Sequence, residues 1–127
     1  MSEAVERLGG RAGVECLVSA FIDRCREDFV IGFLFVGTDR ERIIRHEAEL
    51  ALKQFGADVV YSGRPLGQAH APKRINQGHY RRRQAILRHV LSAEGVDEDL
   101  VDRWLAHQER FRSVVTNEHD CTGPELD

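Results

Sequence analysis

Between Val14 and Cys25 the apolar residues fall at Val14, Leu17, Val18, Phe21, Ile22 and Cys25, in alternating steps of three and one. At about 100° per residue that rhythm places all of them on one stripe of an α-helix, whereas a strand, with its period of two, would scatter them over both faces. Such a stripe is stable only when other elements cover it. The chain supplies them as further helical patterns. A second helix, capped by Thr38 or Asp39, carries Ile43, Ile44, Glu47, Leu50, Ala51 and Gln54 on one face before Phe55-Gly56 ends it. A third starts near Gly78 behind a cap at Asn76, with Tyr80, Ile86, Leu87, Val90 and Leu91 apolar. A fourth starts at Asp97, its expected N-cap, and carries Leu100, Val101, Trp104, Leu105, Gln108, Phe111 and Val115. Val59-Val60-Tyr61 has strand propensity, but so short a run has nothing to pair with and reads as loop. The fold class is all-α.

Two segments break the pattern. Phe29 to Gly37 is densely apolar and too brief for a long helix, so it reads as a buried corner after a first helix that stops near Asp28. Residues 56 to 78 hold Gly56, Gly63, Gly67 and Gly78 together with Pro65 and Pro72, which leaves room for about one helical turn from Leu66 to His70. A chain of 127 residues, 42% hydrophobic, fills one core, read as a domain over residues 1–116 and a flexible tail over 117–127. A net charge of −3 gives no electrostatic footprint for nucleic acid or an anionic membrane. No stretch approaches the ~20 apolar residues of a membrane span, and the acidic start at Met1-Ser2-Glu3 is no secretory leader, so the expected location is the cytoplasm. Cys16 and Cys25 face opposite ways on the first helix and form an odd set with Cys121, which points to free thiols.

His70 stands between Ala69 and Ala71, ahead of Pro72. Small neighbours let a flat group approach the imidazole, which suits axial ligation, although the same residue could be a hydrogen-bonded or surface histidine. Longer stretches bear on the choice. These are Leu8-Gly9-Gly10, Phe35-Val36-Gly37-Thr38-Asp39, Phe55-Gly56, the run from Tyr61-Ser62-Gly63-Arg64 to Ala69-His70, Ile75-Asn76-Gln77-Gly78-His79-Tyr80, and Gly95-Val96-Asp97-Glu98-Asp99-Leu100. In them, over roughly Val5 to Val115, the chain resembles the truncated haemoglobins, most closely the group that includes the cyanobacterial members. The Tyr61 to His70 run is the specific part.

The resemblance implies a truncated globin, a two-over-two helical sandwich around haem b, with His70 as the proximal ligand to the iron. It places Phe35 against the porphyrin at the corner and Leu66 near the proximal side. Arg64 and one of Arg42 or Arg45 would meet the propionates, or stay as solvated surface charge. His79 would be structural, capping the loop before the third helix. Arg81-Arg82-Arg83 reads as a solvated helix face or, alternatively, a docking patch for an acidic partner such as a reductase.

On the distal side the chain departs from the family. The usual tyrosine of the first long helix is replaced by Ile22, and the polar positions of the second helix hold Ile43 and Glu47. The oxygen-stabilising donors are therefore missing. His46 matches a histidine that in some cyanobacterial relatives binds the iron when no ligand is present, so it is expected either as a second axial ligand or turned to solvent, Glu49 or a propionate. Glu47 would either keep a proton in a desolvated pocket or be ionised against Arg45 or another arginine. Some relatives attach haem through a histidine on the last helix. That place is near Ser113 here, with His107 and His119 out of register, so no such bond is expected. The implied function is reversible binding of a diatomic gas (O2, NO or CO) or redox work with an external reductase. A haem enzyme, peroxidase-like or nitric-oxide detoxifying, is the alternative. Nothing in the sequence sets the oligomeric state.

Overall fold

A computed structural model of the chain describes residues 2–63 and 75–116. The elements are α1 (Glu3–Arg7), α2 (Gly10–Arg26), a 3-10 turn (Gly32–Phe35), α3 (Arg40–Gln54), α4 (Gln77–Ala93), α5 (Glu98–Glu109) and α6 (Arg112–Val115). No strand occurs among the described residues, and Val59-Val60-Tyr61 is loop. The expected turn from Leu66 to His70 and the tail over 117–127 lie outside the described residues. No described helix is long and apolar enough to cross a membrane.

The first stripe is central. All six of its residues are buried, and α2 packs against α1, α3, α4 and the 3-10 turn, while α4 packs against α5. Full burial of each large apolar side chain contributes about 1.5–3 kcal/mol, so this stripe is the main adhesive of the fold. Cys16 is exposed and Cys25 buried, on opposite faces as expected, and both are free. Local capping sets the starts of α3 and α4. Asp39 Oδ1 accepts from the Arg42 N–H, and Asn76 and His79 form a reciprocal capping box in which each backbone N–H donates to the other's side chain. His79 thus has the capping role expected of it.

Four expectations need correction. The sequence gives no sign of α1, which is too short to show a period. It is held by the Ser2 hydroxyl, which accepts from the Val5 N–H and donates to the Phe55 carbonyl across the molecule, and by burial of Ala4 and Val5. Asp97 occupies the N-cap position of α5 but makes no side-chain cap, because its carboxylate pairs with Arg7 at 2.8 Å. The last helix does not run unbroken to Val115. The Gln108 carbonyl accepts from the Phe111 N–H, three residues on, and from the Tyr80 hydroxyl, so the four-residue ladder tightens and breaks after Glu109.

The apolar corner, lastly, is only partly buried. Ile31 is buried and Leu34 packs behind it, whereas Phe29 (99% exposed), Phe33 and Val36 face solvent. In a 3-10 turn side chains three apart eclipse, so Ile31 and Leu34 share the inward side while Phe33 and Val36 share the outward one. Asp28 braces the corner. Its carboxylate accepts from the Val30 and Ile31 N–H groups and pairs with Arg82 at 2.6 Å, and the Arg82 contact chiefly holds its pKa down at about 2.

The turn between α1 and α2 explains the glycines there. Gly9, the N-cap of α2, has φ +93°, and a Cβ on Gly13 would stand 2.1 Å from the Leu8 carbonyl oxygen. Gly13→Ala adds about 1 kcal/mol of helix preference. The clash is expected to reverse that and lower stability by about 1–3 kcal/mol, read as a fall in the urea midpoint. A raised midpoint would show that the turn can open at no cost.

Candidate functional site

The chain folds around a cavity of about 430 Å³. The last turns of the α2 stripe supply Phe21 and Ile22; the corner supplies Ile31, Leu34 and Phe35; α3 supplies Ile43, His46, Glu47 and Leu50. Tyr61 of the following loop, His79, Tyr80 and Arg83 of α4, and Gln108, Phe111 and Val115 beyond it add to the wall. The rhythm of α3 divides its residues between two surfaces. Ile44, Ala48, Ala51 and Leu52 enter the core, and Ile43, His46, Glu47 and Leu50, one and two positions away, face the cavity. The volume lies within the usual range for small-molecule sites, and the walls are apolar with a few convergent polar groups, as such sites require.

Of the residues singled out in the sequence, Ile22, Phe35, Ile43, His46 and Glu47 all line this cavity. His70, Arg64 and Leu66 lie outside the described residues. Of the two alternatives for a basic group at the mouth, Arg42 lines the cavity beside Thr38 and Asp39, while Arg45 is exposed and does not.

His46 sits edge-on to Tyr61, ring centroids 5.6 Å apart. The loop presses close at this point, since a Cβ on Gly63 would meet the Tyr61 hydroxyl at 2.4 Å and His46 Nδ1 at 3.0 Å. Glu49, one conceivable partner for His46, is taken by Ser62, whose N–H and hydroxyl both donate to its buried carboxylate at 2.8 and 2.9 Å. Burial would raise the Glu49 pKa, but the two Ser62 donors, helped by His46 and Arg45, bring it below its ordinary value. That contact anchors the Tyr61 loop to α3.

Glu47 pairs with Arg83 across the cavity wall at 3.2 Å, with both side chains less than one-fifth exposed. Its arginine partner is thus Arg83 and not Arg45. The reading of Arg81-Arg82-Arg83 as a solvated face is corrected at its third member. Arg81 is exposed and Arg82 half-exposed on Asp28, but the Arg83 guanidinium lies over the Phe21 and Tyr80 rings at 5.0 and 5.5 Å. The missed signal was helical phase. Arg83 follows Tyr80 by three and precedes Leu87 by four, which places it on the buried stripe of α4. Burial works against its charge. The pull of Glu47, with smaller ones from Tyr80 and Cys25, prevails and keeps the guanidinium pKa above its usual value.

His107 is half-buried, edge-on to Phe111 at 5.1 Å, and does not line the cavity. His119 lies outside the described residues.

The family model for bacterial-like globins matches residues 3–117. The group 1 truncated hemoglobin of Synechocystis sp. is 30% identical over 105 residues, covering 80% of this chain and 85% of its own. That of Nostoc commune is 24% identical over 120 residues, covering 92% and 99%. Among solved structures, the 2/2 hemoglobin of Synechococcus sp., in the cyanomet state with covalently attached heme, superposes with a TM-score of 0.82 at 25% identity over 91% of this chain and 98% of its own. The ferric truncated hemoglobin of Tetrahymena pyriformis has the same score and coverage at 19% identity, a likeness of fold.

Proposed function

Because the chain belongs to the bacterial-like globin family, whose cofactor is haem, we propose that it binds haem b between His70 and the α3 wall and takes up a diatomic gas reversibly. The observation that carries this reading is the apolar cavity faced by Phe35, Ile43 and His46 on the expected helices. The donor set fits the group. The walls are largely hydrocarbon and aromatic, His46 stands on α3, and Arg42 and Thr38 line the cavity, where they would pair with carboxylates of a propionate type. When bound, haem would supply an iron able to take a small ligand.

The chain's own residues set the terms. Ile22 and Ile43 present no hydrogen-bond donor, so they exclude water without holding a polar ligand. His46, on the α3 wall, would hold the iron in the absence of gas and give way to it. An enzymatic reading needs a proton donor over the site. Of its two candidates, Glu47 is engaged with Arg83, which leaves proton delivery to His46 alone.

Absorption spectra of the ferric, ferrous and carbon-monoxide-treated protein test this. The expected result is one haem per chain, a low-spin six-coordinate ferric form, and conversion to a high-spin form in His46→Leu. A high-spin ferric protein indifferent to His46→Leu would remove His46 from the iron, and failure to take up haem would remove the whole reading.

A further inference from the structure

We propose that Arg83 is the ligand-selecting group of this cavity and that it recognises small inorganic anions, of the azide or nitrite class, in preference to a weak acceptor such as carbon monoxide. The inference rests on the cavity holding haem and goes beyond that reading by assigning the polar contact that Ile22 and Ile43 cannot make.

An arginine carries five N–H donors in a rigid fork. Among the described residues Arg83 uses one Nη1 hydrogen on the Gln84 side-chain oxygen at 3.1 Å and one Nη2 hydrogen on Glu47 at 3.2 Å, which leaves three. Both bonds are longer than the roughly 2.7–2.9 Å of a tight charge-assisted pair, and the contact with Glu47 is single and not bidentate. The guanidinium is therefore fixed in place but not saturated. Its plane is held against the Phe21 and Tyr80 rings, and it forms part of the cavity wall.

Glu109 also feels the charge of Arg83, but its carboxylate is taken by Arg112 and Gln84, and Asp39 caps α3. The Tyr80 hydroxyl is buried and donates to the Gln108 carbonyl, and burial pushes the neighbouring Cys25 thiol up to about 12, so both stay neutral. Glu47 is then the counter-ion that an entering anion displaces or shares. A cation at a desolvated wall, with donors to spare and one loosely held carboxylate, discriminates by charge. Carbon monoxide, a weak hydrogen-bond acceptor, gains little from it, whereas an anion gains charge-assisted hydrogen bonds in a medium where they are strong.

Equilibrium titration of the holoprotein, with azide for the ferric form and carbon monoxide for the ferrous form, reads this as a ratio of dissociation constants and needs no turnover. In Arg83→Gln the azide-to-carbon-monoxide ratio is expected to rise about 10- to 100-fold, the loss of one charge-assisted contact. Arg83→Lys, which keeps the charge but not the fork, should fall between. Glu47→Gln should shift azide the opposite way, tightening it about three- to tenfold by freeing the guanidinium. These two variants carry the test should Arg83→Gln not fold. Stoichiometric haem and normal carbon monoxide uptake, together with a ratio that stays within twofold in every folded variant, would overturn the role of Arg83. Absence of haem from the parent protein would instead overturn the function on which the role rests.

Discussion

Truncating His70 to glycine is expected to abolish stoichiometric haem retention, lowering affinity by about a hundredfold or more, and added imidazole is expected to restore it. Most of the cavity wall is apolar, and burial against that part cannot distinguish an iron porphyrin from any flat hydrophobic molecule. What makes the group specific is a bond from an axial imidazole, and His70 is the residue that the Tyr61 to His70 run assigns to it. Because a ligand that binds only the folded state stabilises it by mass action, each hundredfold of lost affinity removes about 2.7 kcal/mol of holoprotein stability at saturating haem. The deficit should therefore appear twice, in the haem stoichiometry and in the thermal midpoint. Imidazole rescue separates loss of the ligand from loss of the fold. A His70→Gly protein that keeps its haem and an unchanged axial bond without imidazole would show that another residue, His46 foremost, holds the iron alone.

Trp104→Ala is the substitution expected to cost most in stability, about 3–5 kcal/mol. The indole is 3% exposed and meets the Phe55 ring edge-on at 5.6 Å, with the Arg103 guanidinium over the other ring at 5.0 Å. It joins α5 to the end of α3, where Phe55 also receives the Ser2 contact that holds α1. Removing it opens a void at the meeting of three elements, and the neighbours are fixed helices that can collapse only in part. Against a total of about 5–15 kcal/mol for a domain of ordinary stability, this is a large share. It should lower the thermal midpoint by roughly 10–20 °C. Arg88→Ala gives the contrast on the same side of the molecule. Its ion pairs with Glu98 and Asp102 are 3.4 and 3.2 Å long and half-exposed, worth about 0–1 kcal/mol. A Trp104→Ala protein as stable as Arg88→Ala would mean that α5 does not bear on the core as described.

How much of this was legible beforehand depends on how local each cause is. The stripes of α2, α3 and α4 were readable because a helix writes its buried face into the spacing of its own residues. The caps at Asp39 and Asn76 were readable because donor and acceptor lie three residues apart. The cavity residues Ile22, Phe35, Ile43, His46 and Glu47 were named through a family resemblance; the phase of α2 and α3 places all but Phe35, which the 3-10 turn brings in. By contrast, α1 depends on Phe55, the break after Glu109 on Tyr80, and the diversion of Asp97 from its capping role on Arg7. Each partner is far away in the chain, and no local spacing announces it.

Arg83 marks the boundary most clearly. Its position on the buried stripe of α4 could be counted from Tyr80 and Leu87, yet a run of three arginines reads as a wet surface until something shows that one of them has a carboxylate waiting inside. That carboxylate is Glu47, thirty-six residues earlier on another helix. The sequence alone determined an all-helical chain, the register of its long helices and which side chains turn inward from each. Only the packing of those helices decided which inward-turned charges meet, because the cost of burying a charge is offset by whichever opposite charge the tertiary fold brings beside it.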